Sequence, residues 1–194
     1  MSSQDTQFDP SPQEKVNRVP LWLAAALVVV FSLPFGLWLG KYNFTLWCAF
    51  IVWAQYFSLG ATNKAVPIIL KSFGYSAFLT GGTLALTPLF GFLPSLVTPG
   101  DLALAASFFI GVAFMVYSMD WSPAFQKGAL PFFNGISMAL AVFYSGQFPH
   151  FGPDALLPLV AAAWAFAMGV FGIVLGILTV AAQCPVSQAV RRIA

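Results

Sequence analysis

Six apolar blocks, at residues 20–40, 44–60, 75–97, 102–118, 131–147 and 155–182, contain no Asp, Glu, Lys, Arg or His between them. A helix of about 20 apolar residues spans a hydrocarbon core of about 30 Å, because every backbone amide is satisfied inside the segment. This pattern predicts an all-α integral membrane protein with six transmembrane helices. Only 7% of the chain is charged, whereas a soluble domain carries about a quarter, so a water-soluble fold is excluded. The breaks between blocks are polar or rich in Gly and Pro. Within the third block, Pro88 and Pro94 are expected to kink or divide the helix.

The cations give an orientation. Lys and Arg in short loops are retained in the cytoplasm. With six spans, Lys15, Arg18, Lys64, Lys71, Lys127, Arg191 and Arg192 fall on one side and only Lys41 on the other. Both termini are therefore expected to be cytoplasmic, in a bacterial inner membrane. Residues 1–19 are polar and carry acids where a secretory signal would be basic, so they read as a disordered arm before an uncleaved first span. Residues 20–183 form the membrane domain and 184–194 a short tail.

Spans one to three and four to six start at similar spacings. The run Ala54-Gln55-Tyr56-Phe57-Ser58-Leu59-Gly60 lies over Ala141-Val142-Phe143-Tyr144-Ser145-Gly146-Gln147. Halves 20–98 and 102–183 thus suggest two three-helix repeats. An odd number of spans per half inverts the second against the first, as in many channels and transporters.

The run from Trp47 through Tyr56-Phe57-Ser58-Leu59-Gly60 to Val66, followed by Gly81-Gly82, resembles a family of small bacterial inner-membrane proteins catalogued as a domain of unknown function. In that family an aromatic pair closes a helix before a small-residue turn, and the pattern recurs. The family's Gly-Gly turn is replaced here by Ala61-Thr62-Asn63-Lys64. The resemblance implies the architecture and transfers no site.

Without ionisable groups at depth, proton relays, ion-coupled pumps and voltage sensors are disfavoured. His150, the single histidine, lies between spans, so a bis-histidine haem or a histidine metal centre cannot be assembled in one chain. Cys48 and Cys184 form no metal or disulfide pattern. No metal or cofactor is expected, nor an enzyme, since nucleophile, zinc-protease and phosphate-loop motifs are absent from the sequence. Nor is there a basic face for nucleic acid.

Neutral polar groups remain. Gln55, Tyr56, Ser58, Thr83, Thr87, Tyr144 and Ser145 are the candidates to line a pathway, with Thr80, Thr83 and Thr87 on one helical face. Such hydroxyls either replace a solute's hydration or bond carbonyls one turn back. Small residues at Gly36, Gly40, Ala165, Gly169, Gly172 and Gly176 predict close helix packing, within one chain or between chains. The short run 65–70 between Lys64 and Lys71 reads as an interfacial or re-entrant segment. The leading functional expectation is a channel or facilitator for a small, mostly uncharged solute, as a homo-oligomer. The alternative is an accessory or assembly subunit of a larger membrane complex, including one associated with a pigment or quinone.

Overall fold

A computed structural model describes residues 13–189. Among them are seven α-helices: α1 Leu21–Leu39, α2 Leu46–Ser58, α3 Ala65–Leu86, α4 Asp101–Ser118, α5 Pro123–Lys127, α6 Ala129–Ser145 and α7 Leu157–Ala182. Three helical stretches are long and apolar enough to cross a membrane: Leu21–Tyr42, Asp101–Trp121 and Asp154–Ala182. The expected six are not all of this kind. At 13 residues α2 rises only about 20 Å, and α6, at 17 residues, is also short. The 22-residue α3 is long enough but carries Lys71, Ser72 and Ser76.

The third block departs furthest from expectation. Residues 65–70, expected as an interfacial or re-entrant segment, do not form a segment of their own; they are the first turns of α3. Pro67 fits there because its missing N–H falls among the first-turn donors that have no partner inside a helix. At the other end α3 stops at Leu86 and tightens into a short 3₁₀ turn, Thr87–Phe90. Thr87 keeps right-handed helical dihedrals, but Pro88 has no N–H with which to continue the i→i−4 ladder, so the α-helix ends there. Residues 91–100 are irregular. Asp101 pins them: its carboxylate accepts N–H bonds from Leu96, Val97, Thr98 and Leu102, the shortest at 2.7 Å.

α2 closes in a Schellman motif. Gly60 N–H donates to Phe57 O and Ala61 N–H to Tyr56 O, with φ of 88° and 50° at Gly60 and Ala61. Glycine takes the left-handed turn freely, whereas Ala61 adopts it at a cost of about 1 kcal/mol.

Helices α2, α3, α6 and α7 form the central bundle. α3 packs on α6 and α7, α7 on α2 and α6, while α1 flanks α7 and α4 flanks α3. Tyr56, Phe73, Phe132 and Phe148 are wholly buried within it. The packing glycines act within the chain. A Cβ at Gly172 would collide with Ala49 O, one at Gly176 with the Tyr56 ring, and one at Gly169 would lie 2.9 Å from Phe73. Ala165 is fully buried beside them. A Cβ at Gly36 would strike Leu46, but at Gly40 it would meet nothing within 4 Å. The α3–α7 crossing is equally close, since a Cβ at Gly81 would lie 2.8 Å from Pro158 O. α1 and α4 instead turn large apolar side chains outward, among them Leu27, Phe31, Phe109 and Ile110.

The two ends of the described chain meet. Val19 N–H donates to Gln183 O, and strands β1 Gln13–Asn17 and β2 Pro185–Ala189 pair antiparallel. Of the arm expected to be disordered, residues 1–12 lie outside the described residues and Gln13–Asn17 is the strand.

Candidate functional site

The seven candidate lining residues are not gathered into one passage. Thr83 donates to Leu79 O at 2.9 Å and Thr87 to Thr83 O at 3.3 Å, so both hydroxyls bond their own helix. Thr80 does the same with Ser76 O at 2.8 Å. Ser58 and Ser145 are exposed and bond carbonyls one turn back, Gln55 O and Val142 O. Tyr144 points outward and borders a hollow at the start of α4 with Asp101, Leu104 and Phe108. Tyr56 sits at the opposite end of the bundle, beside a cavity walled by Thr62, Asn63, Lys64, Ile177 and Val180.

Gln55 is different. It is 1% exposed, and neither its Oε1 nor its Nε2 has a hydrogen-bond partner. A carboxamide has one acceptor oxygen and two N–H donors, and burying such groups unpaired costs about 1–3 kcal/mol each. Two further orphans lie on or beside the same helix: the Thr45 hydroxyl and the Trp53 indole N–H. Thr45 occupies the N-cap of α2, where a threonine side chain ordinarily accepts an N–H from the first turn, yet it makes no such bond. Its position was legible in the sequence as a cap. Its failure to cap was not.

Thr45, Cys48, Val52 and Gln55 follow each other at i, i+3, i+7 and i+10, one face of a helix, and all four are buried. This face looks into the bundle. Cys48 donates to Ala165 O of α7 at 3.6 Å, and Val52 faces Gly169 and Gly172. α2 therefore carries an unpartnered polar group at each end of its inward face, about 15 Å apart along the axis, with a thiol and a methyl pair between.

At the Thr45 end the connecting loops interlock. Asn43, left-handed at φ 65°, donates from Nδ2 to Phe148 O, and Trp164 Nε1 donates to Asn43 O at 2.7 Å. Trp47 Nε1 reaches Gln147 Oε1 at 3.1 Å. His150 stacks on Phe148, ring centroids 4.3 Å apart. Among the described residues no three His, Cys, Asp or Glu side chains come together as a metal site would need.

Comparison with protein-family models, with curated proteins and with solved structures finds no match.

Proposed function

We infer that this chain is a membrane channel or facilitator for a small, mostly uncharged solute, whose path follows the inward face of α2. The observation that carries the reading is the pair of unpartnered polar side chains, Thr45 and Gln55, at opposite ends of that face. In an apolar bundle such groups persist at a cost unless something polar visits them. A passing solute is that visitor. Between them Val52 closes on Gly169 and Gly172, so the described conformation is the shut one. Of the seven sequence candidates, Gln55 and Tyr56 belong to this path, whereas Thr83 and Thr87 serve the α3 backbone.

The packing supports an inverted repeat. Exchanging the halves maps α1 onto α4, α2 onto α6 and α3 onto α7. The α3–α6 contact then becomes α7–α2, and α3–α4 becomes α7–α1, while α3–α7 maps onto itself; all of these contacts occur. In such folds the site lies where the repeats meet. In this reading six helices cross a bacterial inner membrane, with both termini cytoplasmic as the cations require. The short α2 and α6 cross under the shelter of α3 and α7. The resemblance to the small inner-membrane family agrees with that placement.

The test is solute-driven volume change of proteoliposomes, followed by stopped-flow light scattering. Wild-type protein should speed entry of a neutral solute over protein-free vesicles, and Gln55→Leu should abolish the gain. Equal rates in both proteins would overturn the reading.

One observation favours the accessory-subunit alternative. On the outward side of α1, Phe31, Pro34, Phe35, Trp38 and Leu39 surround a wholly apolar hollow of about 420 Å³, the kind of surface a partner helix fills. Native mass spectrometry after mild extraction separates the two. A homo-oligomer alone fits the channel, and stoichiometric recovery with other membrane proteins fits the subunit.

A further inference from the structure

We propose that the loop end of α2 holds a binding site for a small neutral polyol, formed by Asn43, Thr45, Trp47 and Gln147 in a cavity kept open by Gly40. This deepens the solute reading above, and rests on it only for the solute's onward movement. The cavity has a volume of about 370 Å³ and no charged side chain in its wall. That is more than ten times the roughly 30 Å³ share of one water, so the cavity takes a molecule of several heavy atoms. With no fixed charge in its wall, the cavity offers an ion no counter-charge.

The hydrogen-bond ledger defines the ligand. Asn43 Nδ2 is engaged with Phe148 O, which leaves Oδ1 as an acceptor. Gln147 Oε1 is engaged with Trp47 Nε1, which leaves Nε2 as a donor. Thr45 also lines the cavity; it is 3% exposed, and its unpartnered hydroxyl is covered in the described conformation, so its one donor and two acceptor lone pairs meet a ligand once the neighbouring side chains shift. Uncharged donors and acceptors around one cavity complement hydroxyls, each of which donates and accepts. The rings of Phe44 and Trp47 line the same cavity and suit the C–H faces of a polyol chain.

Gly40 keeps the volume free. Gly40 is right-handed helical at φ −56°, so a side chain is not strained there, and an added Cβ meets nothing within 4 Å. Gly40→Leu therefore fills the cavity without disturbing the fold. Thr45→Val removes the orphan hydroxyl while keeping the shape.

The experiment is saturation-transfer difference NMR of glycerol and sorbitol with the protein in nanodiscs. Wild type should give a saturable polyol signal. Gly40→Leu should lose it and Thr45→Val should weaken it at least several-fold, with circular dichroism and gel-filtration profiles matching wild type. No saturable signal with wild type, or an undiminished signal with Gly40→Leu, overturns the site. A saturable signal with urea and none with polyols overturns the assignment of the ligand. Because binding is read without flux, a positive signal in a protein that moves no solute refutes the channel and leaves the site standing.

Discussion

Replacing Gln55 with Leu should make the protein more stable and less functional. The carboxamide is buried at 1% exposure with Oε1 and Nε2 both unpaired. Each orphaned group costs about 1–3 kcal/mol by protein mutational measure. Leucine removes both at similar volume, though its branch forces some repacking, a cost of up to about 1.5 kcal/mol for a volume-conserving swap. The net gain should be about 0.5–6 kcal/mol. Reversible unfolding by sodium dodecyl sulfate in bicelles, followed by circular dichroism, measures it against wild type. A loss of more than about 1 kcal/mol would refute the reasoning, since removing a satisfied buried amide destabilises by about that much. Gain in stability together with loss of flux is the signature of a polar group kept for a passing ligand.

Other changes separate structural from functional groups. Gly172→Leu drives a side chain into the Ala49 carbonyl and should cost about 1–3 kcal/mol or more by overpacking the α2–α7 seam, read in the same unfolding assay. Asp101→Ala frees the N–H groups of Leu96, Val97 and Thr98; hydrogen exchange over residues 96–98 should accelerate while α3 and α7 keep their protection. The double change Thr83→Val and Thr87→Val removes only bonds to α3's own carbonyls, so stability should shift by about 1 kcal/mol or less with flux unchanged. A fall in flux would return those hydroxyls to the path.

Much of the helical frame is legible in the sequence because hydrophobic blocks and helices coincide. Five of the six blocks match helices within two residues at each end: α1, α2, α4, α6 and α7. The third fails for a physical reason. Lys71 and Ser72 look like loop residues, but Ser72 is buried and donates to Ala124 O at 2.9 Å, so tertiary packing carries the helix through a polar stretch. The apolar block over α2 also overstates that helix, because Phe44, Thr45, Leu59 and Gly60 belong to the block but lie outside the 13-residue helix. The glycine row of α7 is readable as a packing face; that its partner is α2 of the same chain is not, since sequence carries no pairing.

The site was legible in part. Gln55 and Tyr56 stand out as polar residues in an apolar run, whereas Thr45 and Asn43 look like ordinary helix-start chemistry. What distinguishes Thr45 is a missing cap bond, which depends on backbone dihedrals that no residue type specifies. The threonine face of α3 is a different case. Its periodicity is real, but each hydroxyl is already used one turn back.

The most direct test of the path uses its own thiol. Cys48 lies between Thr45 and Gln55 on the inward face of α2, fully buried, while Cys184, the other free cysteine, is exposed. In a Cys184→Ser background, a small methanethiosulfonate reagent applied to the folded protein in nanodiscs should modify Cys48 slowly, as the Val52 closure opens, and glycerol should slow the reaction saturably. Reaction of Cys48 only after unfolding, at a rate indifferent to solute, would contradict a path along α2.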